Sequence, residues 1–194
     1  MKRSIDIKIP SSKAWIDAVL GDFPSFLRDH ADCERKASGM ASSFVAKYPD
    51  RLEILPDLID IAIEEMEHFR DVYQVMSSQN IQLNHEIQKD VYVNRLMKLA
   101  RDGRETRFLD KLLLASVLEC RGAERFKMVA DHIADPALKI FYKALWTSEA
   151  KHGHVFVTFA LKYFDEAVVY DRLEALMTAE AEIIQDIPVR AALH

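Results

Sequence analysis

The sequence predicts an all-α protein, and three observations support that prediction. Only five glycines and six prolines interrupt 194 residues, so few positions break regular structure. Long stretches are rich in Ala, Leu, Glu, Lys and Arg, which favour the helix. Within them, apolar residues recur every three or four positions, as on the buried face of a helix. With 49% hydrophobic residues, we expect a single domain over residues 1–194, with a bundle core at about 24–163.

The first part of the chain predicts one short helix and two long ones. The short helix covers about 12–20 and ends at Gly21. The next covers about 24–47 and is closed by the turn residues 48–50, which include a proline. A third helix spans roughly 52–77. Because the turn between the two long helices is short, we expect them to form an antiparallel pair.

The second part of the chain predicts another long pair after an extended connection. About thirty residues, 78–107, separate the two pairs and contain a helix at about 86–100. A crossover of that length lets the second pair dock against the first. The second pair covers about 108–132 and 137–163, and a last helix over about 166–184 flanks the bundle.

Two copies of one carboxylate pattern interrupt the apolar faces of the four long helices. In each copy, a lone glutamate is followed about thirty residues later by Glu-x-x-His. Residues three apart lie on one face of a helix, so both side chains of each motif can point at a common centre. An uncompensated carboxylate on an apolar face is costly, which favours metal binding over chance. The predicted metal ligands are Glu34, Glu65, His68, Glu119, Glu149 and His152.

The composition of this ligand set predicts two iron ions. Four carboxylates and two imidazoles suit iron or manganese, whereas a structural zinc site favours thiolates. Four negative charges balance two divalent cations, so the reduced site is neutral and can be buried. Small residues, Ala37 and Gly122, follow the two lone glutamates by three positions. They either leave one side of the metals open or let the helices pack closely.

The residues around the ligands resemble a known family. The strings are CERKASGMA at 33–41, EEMEHFRDVY at 64–73, ECRGAERF at 119–126 and SEAKHGHVF at 148–156. In ligand order, the chain resembles the ferritin-like di-iron carboxylate superfamily, and over nearly its whole length it is similar to the tRNA hydroxylase family MiaE. The resemblance implies a ferritin-like four-helix bundle with a crossover connection and extra flanking helices.

The same resemblance implies a non-haem di-iron monooxygenase, an oxidoreductase. Its substrate would be the isopentenyl group of 2-methylthio-N6-isopentenyl adenosine next to the tRNA anticodon, so the anticodon loop of tRNA is an expected partner. The iron ions would alternate between Fe2+ and Fe3+, with dioxygen as co-substrate. Electrons would come from a separate reductase, because the sequence has no Gly-rich nucleotide fingerprint. No catalytic residue is expected beyond the metal ligands.

Binding to tRNA requires a local basic surface, because a formal net charge of -5 gives no global attraction to nucleic acid. The predicted tRNA-binding residues are Lys98, Arg101, Arg104, Arg107 and Lys111. Neighbouring acidic residues dilute the positive charge of this first cluster, which a solvated loop also explains. A second possible cluster lies near the predicted ligands, at Arg35, Lys36, Arg121 and Arg125.

The sequence also predicts a cytoplasmic protein with no membrane partner. The charged N-terminus lacks the apolar run of a signal peptide, and no segment approaches 18 uninterrupted apolar residues. In a reducing compartment, Cys33 and Cys120 are expected to be free thiols. The sequence does not determine the oligomeric state.

Several other functions fit the same residues. One is a ferritin-like peroxidase or ferroxidase, and another is a di-iron oxygenase acting on a small or carrier-bound substrate. A helical interaction module is a third, in which the buried glutamates pair with Arg35, Arg121 and Arg125. Iron content separates that module from all the enzymes.

Overall fold

A computed structural model describes residue 5, residues 7–87 and residues 89–194, and the regular structure in that part of the chain is entirely helical. The all-α prediction is therefore confirmed. No helix among the described residues is long and apolar enough to cross a membrane. The helices are α1 (Lys13–Gly21), α2 (Phe23–Lys47), α3 (Leu55–Ser78), α4 (Val91–Met97), α5 (Arg104–His132), α6 (Pro136–Leu161) and α7 (Glu166–Asp186).

Capping side chains determine where two of the long helices begin. The Asp22 carboxylate accepts a hydrogen bond from the Ser25 backbone N–H ahead of α2. The Asp135 carboxylate accepts from the N–H groups of Ala137 and Leu138 ahead of α6. Both aspartates satisfy N–H groups that have no partner within the helix. These two helices begin within one residue of the predicted positions.

Three other helices differ from the prediction by three residues or more at one end or both, for local reasons. Helix α3 begins at Leu55, three residues late, with a proline in its first turn, where proline is best tolerated. Helix α5 begins at Arg104, one turn early, directly after Gly103, whose φ of 93° suits glycine. Helix α4 is shorter than the predicted 86–100, because Asp90 caps it by accepting from the Val93 N–H.

The chain divides into two compact units. One contains residues 1–16, 89–189 and 194, and the other contains residues 17–88 and 190–193. Each unit holds one of the two predicted long pairs, α5 with α6 in the first and α2 with α3 in the second. The single domain over residues 1–194 stays a prediction.

A side chain to backbone hydrogen bond joins the two helices of each pair. In the second unit, Ser38 Oγ on α2 donates to the Ala62 carbonyl on α3 at 2.7 Å. In the first unit, Ser116 Oγ on α5 donates to the Gly153 carbonyl on α6, also at 2.7 Å. A serine side chain is small enough to let the two helices approach closely, and its hydroxyl finds a hydrogen-bond acceptor at the contact. Both contacts lie within four residues of a predicted ligand, so they fix the helix spacing near those positions.

The carboxylate of Asp110 fastens α7 and the start of α5 together within the first unit. Asp110 is fully buried and accepts from Arg101 Nη2 at 2.7 Å and from Arg172 Nε at 2.8 Å. The Arg172 guanidinium also donates to the Leu99 carbonyl at 2.7 Å. Burial raises the pKa of the Asp110 carboxyl, but the hydrogen bonds from Arg101 and Arg172 outweigh it and hold the pKa below its ordinary value.

A second buried network fastens α4, α5 and α7. The guanidinium of Arg121 is fully buried and lies 2.7 Å from Glu180 on α7. Glu180 also accepts from the Tyr92 hydroxyl on α4 at 2.9 Å, and Arg121 donates to the Ile9 carbonyl at 2.9 Å. Because a buried charge is tolerated only when it is paired, this network holds three helices in one arrangement.

Replacing Asp110 by alanine leaves two arginines without their shared carboxylate, so we expect Asp110→Ala to lower the free energy of unfolding by about 2–3 kcal/mol. The control is Asp102→Ala, which removes an exposed ion pair with Arg107 and is expected to cost less than about 1 kcal/mol. Urea unfolding at neutral pH measures both.

The difference in stability between wild type and Asp110→Ala should depend on pH, and the direction of that dependence follows from the pKa of Asp110. The pKa of Asp110 is lowered in the folded state, so its contribution is fully present above the unfolded value of about 3.9 and is lost as pH falls through the folded value. The stability difference between wild type and Asp110→Ala should therefore shrink in acid. Equal costs for Asp110→Ala and Asp102→Ala at neutral pH would show that the buried network does not stabilise the fold.

Candidate metal centre

The α2–α3 pair brings together three of the predicted ligands. Glu34, Glu65 and His68 are 3%, 1% and 9% exposed, and one ligand atom from each lies within 4.8 Å of the others. The Nδ1 atom of His68 is 3.4 Å from Glu65 Oε2 and 3.9 Å from Glu34 Oε2. The spacing of three residues along α3 therefore aims the glutamate and the histidine at one point, as predicted from helix geometry.

The α5–α6 pair brings together the other three. Glu119, Glu149 and His152 are 7%, 3% and 4% exposed, and one ligand atom from each again lies within 4.8 Å of the others. The Nδ1 atom of His152 is 3.6 Å from Glu149 Oε2. Each helical pair thus supplies two carboxylates and one imidazole in a buried setting.

The chemistry of these donors fits iron. A carboxylate oxygen or imidazole nitrogen lies about 2.0–2.2 Å from a bound transition metal, so two ligands of one ion are separated by up to roughly 4.4 Å. The ligand atoms within each group of three lie within 4.8 Å of one another, which is close to that limit. Oxygen-rich sets with imidazole suit Fe and Mn, and the burial excludes most water from the donors.

One residue beside the site was not predicted from the sequence. His30 on α2 is fully buried, and its Nε2 atom lies 2.6 Å from Glu34 Oε1. Because an ionised carboxylate only accepts hydrogen bonds, the imidazole N–H is the donor. The available signal was a histidine four residues before a predicted ligand on the same helical face. A hydrogen bond of this kind orients a ligand and adjusts its basicity.

The small residues beside the ligands have different surroundings. A Cβ atom added at Gly122 would meet no atom within 4 Å, whereas one added at Gly153 would lie 2.7 Å from Cys120 Sγ and 3.5 Å from the Ser116 carbonyl oxygen. Close helix packing is therefore the role of Gly153, next to His152, and does not explain Gly122. Cys33 and Cys120 are free thiols, as expected.

The predicted tRNA-binding cluster is partly engaged in ion pairs. Arg101 binds the buried Asp110, and Arg107 binds Asp102. Lys98 and Arg104 are exposed, and Lys111 is half-buried. Carboxylate partners lower the positive potential that two of the five residues present to solvent. Phosphate binding by this cluster stays a prediction.

The second basic group has other partners as well. Arg121 and Arg125 are buried, and Arg121 pairs with Glu180. Arg35 pairs with Asp32 on its own helix. An interaction module would use these arginines to neutralise the buried glutamates of the pattern, whereas the ion pairs of Arg121 and Arg35 are made with different carboxylates.

Comparison with solved structures identifies the class of protein. The described structure is similar to "Protein 43 with aldehyde deformylating oxygenase activity from Synechococcus", with a TM-score of 0.92 and 29% sequence identity, covering 97% of this chain and 94% of that one. The fold is therefore that of the ferritin-like di-iron oxygenases, which confirms the predicted four-helix bundle with a crossover connection and flanking helices.

Sequence comparison identifies the family within that class. The family model MiaE, described as tRNA-(MS[2]IO[6]A)-hydroxylase, matches residues 2–194, and the chain belongs to that family. A Pseudomonas putida protein named tRNA 2-(methylsulfanyl)-N(6)-isopentenyladenosine(37) hydroxylase is 34% identical over 185 residues, covering 95% of this chain and 89% of the relative. A Salmonella typhimurium protein of the same name is 26% identical over 224 residues, covering 90% and 82%.

The contact at Gly153 predicts a specific destabilisation. We expect Gly153→Ala to lower the free energy of unfolding by about 1–3 kcal/mol, because the added methyl group overlaps Cys120 Sγ. Adding Cys120→Ala should recover much of that loss by removing the sulfur. Gly39→Ala on α2 is the control, since its Cβ would meet nothing within 4 Å and alanine favours the helix by about 0.5–1 kcal/mol. Additive effects of the two substitutions in urea unfolding would rule out the contact.

Proposed function

We propose that this protein hydroxylates the isopentenyl group of 2-methylthio-N6-isopentenyl adenosine next to the tRNA anticodon. The observation that carries the proposal is the pair of buried groups, each with two carboxylates and one imidazole, in a chain of the MiaE family. The two curated relatives are named for isopentenyladenosine at tRNA position 37, and both cover most of this chain. The enzyme is accordingly an oxidoreductase of the monooxygenase type.

We further propose that the six residues of the pattern hold two iron ions. When bound, the iron pair supplies the redox chemistry that lets dioxygen oxidise a C–H bond of the isopentenyl group. Each group of three contributes two negative charges, which balance one divalent cation in a buried position. Because one group alone offers only three side chains, the proposal requires residues 1–194 to act as one functional domain. The ligands are Glu34, Glu65, His68, Glu119, Glu149 and His152.

The roles of the protein side chains follow from their positions. His30 donates a hydrogen bond to Glu34 and orients that carboxylate. The hydrogen bond from Ser116 to Gly153 sets the spacing of α5 and α6 beside His152. Burial of all six donors keeps bulk water from competing for the metal. These contacts preorganise the donors, which lowers the cost of arranging them when metal binds.

The balance of the reaction defines the remaining partners. One C–H bond becomes C–OH, the second oxygen atom of dioxygen leaves as water, and two electrons and two protons are consumed. We propose that a separate reductase supplies the electrons and that the enzyme works in the cytoplasm, on the anticodon loop of tRNA. The fold similarity to an oxygenase with aldehyde deformylating activity favours one second candidate, a di-iron oxygenase acting on a small substrate.

A single-turnover assay tests the function directly. The full chain is loaded with iron, reduced chemically and exposed to dioxygen with tRNA that carries the isopentenyl adenosine, with or without the methylthio group. We expect about two irons per chain and a gain of one oxygen on the modified nucleoside, measured by mass spectrometry. Full iron content with unchanged tRNA would favour the small-substrate candidate. A folded protein that takes up no iron would exclude both.

Removing a proposed ligand should remove metal and activity together. We expect Glu65→Ala and His152→Ala each to retain roughly one iron or less per chain and to lose hydroxylation by at least about a hundredfold. Glu67→Ala is the matched control, since Glu67 is exposed on the same helix as Glu65. It should keep wild-type iron content by colorimetric analysis. Normal iron in both ligand variants would show that the ligand assignment is wrong.

His30 gives a graded test of the hydrogen bond to Glu34. We expect His30→Ala to weaken iron binding by about 10–100-fold without abolishing it, because the ligand remains but loses its orienting donor. His30→Gln retains an N–H donor and should recover part of the loss. Competition with a chelator measures the affinity, and circular dichroism checks the fold. An affinity unchanged in His30→Ala would leave this histidine with a packing role only.

A further inference from the structure

Helix α6 presents a basic face to solvent. Its 26 residues contain one acidic residue, Glu149, which is 3% exposed. The lysines of the helix, Lys139, Lys143 and Lys151, are all exposed. The outward charge of α6 is therefore entirely positive, while its inward face carries Glu149 and a histidine. No run of consecutive basic residues marks this surface in the sequence.

The spacing of these lysines suits a phosphate backbone. From Lys139 to Lys151 the helix rises by about 18 Å. In duplex DNA, successive phosphates on one strand advance by about 3.4 Å along the axis, so this length is on the order of five nucleotides of a nucleic-acid backbone. Mobile lysine side chains on one side of a helix can each reach a phosphate without reading the sequence. The geometry fits recognition of a nucleic-acid backbone.

Apolar surface lies between the charges. Ile140 is 72% exposed directly beside Lys139. Trp146 is partly exposed, and the Lys127 ammonium lies 5.5 Å from its ring centre. Aromatic and apolar groups interleaved with lysine are typical of surfaces that bind unstacked RNA bases and riboses. Both features occur on the helix that also carries Glu149 and His152.

Helix α3, the other helix with a Glu-x-x-His motif, has the opposite character. A groove of about 750 Å³ runs beside it and is lined mainly by apolar residues, including Ile59, Ile63 and Met66. The exposed charges along α3 are mainly acidic, with one arginine, Arg70, among them. Such a surface repels phosphate. The exposed acidic residues are Asp57, Asp60, Glu67 and Asp71.

We propose that the exposed face of α6, built on Lys139, Lys143 and Lys151, is the surface that binds the phosphates of tRNA. This assignment rests on the proposed function, in which tRNA carries the substrate. It differs from the predicted cluster around residues 98–111, where Arg101 and Arg107 already bind carboxylates. It also places backbone binding and two of the six proposed metal ligands on one rigid element.

The test compares two triple charge reversals in the full-length, iron-loaded enzyme. We expect the α6 triple variant, Lys139→Glu with Lys143→Glu and Lys151→Glu, to raise KM for tRNA by roughly 10–100-fold at low salt. The slope of log KM against log salt should fall by about three, one unit per lost contact. The matched control, Lys98→Glu with Arg104→Glu and Lys111→Glu, changes the net charge equally and should have the smaller effect.

A double variant, Lys139→Glu with Lys143→Glu, keeps the test valid if the α6 triple variant binds less iron, because both positions are at least six residues from Glu149. It should show about two-thirds of the change in salt slope with normal iron content and normal kcat. Unchanged KM and slope in the double variant, or a larger effect of the control, would overturn the proposal.

The same measurements separate this surface from the proposed function. Direct tRNA binding to the wild type and the α6 variants is measured by fluorescence anisotropy over a range of salt. Hydroxylation of tRNA with no dependence on the α6 lysines would keep the function and reject the surface. Binding that depends on the α6 lysines, without hydroxylation, would keep the surface and reject the function. A wild type that does not bind tRNA would overturn both.

Discussion

The burial of four carboxylates is the constraint on which the rest of this structure depends. Each helical pair carries two glutamates and one histidine of the pattern that are at most 9% exposed. Ionised carboxylates in such a setting must be neutralised by cations or by hydrogen-bond donors. The two divalent metals proposed for this site would meet that requirement for all four carboxylates. The need to hold the donors at fixed separations, in turn, favours long and rigid helices over loops.

The surrounding polar networks serve that rigidity. Helix α5, which carries Glu119, is fastened by Asp110 near its start and by Arg121 two residues after Glu119. Each network binds a partner on α7, so the position of α5 is fixed by groups that are themselves buried and paired. The close approach at Gly153 then fixes α6 against α5 beside His152. Disturbing any of these contacts would move a proposed metal ligand as well as the core.

Helix periodicity made it predictable that the six side chains of the pattern would gather into two buried groups, because residues three apart lie on one face of a helix. Helix ends were less predictable, since α5 begins one turn early at a glycine with positive φ. The hydrogen bond from His30 was missed because a histidine on an apolar face is also an ordinary core residue. Ion pairs such as Arg101 with Asp110 join residues nine positions apart, a spacing that does not predict a contact. The engagement of Arg101 becomes visible only in the structure, where its partner Asp110 is buried. The lysines of α6 lie too far apart in the sequence to form a visible cluster.

The two helices with a Glu-x-x-His motif show where specificity can be encoded. Their inward residues are constrained by the proposed metal site, because any change of spacing would separate the glutamate from the histidine. Their outward residues are free of that requirement, and the two helices differ in the charge of these residues. The exposed charged residues are lysines on α6 and mainly acidic residues on α3. A solved oxygenase with aldehyde deformylating activity shares this fold at a TM-score of 0.92. One fold of this kind therefore accompanies different chemistry. The choice of substrate must then be made by residues outside the proposed metal site, and the charged outer faces of α3 and α6 are positioned to make it.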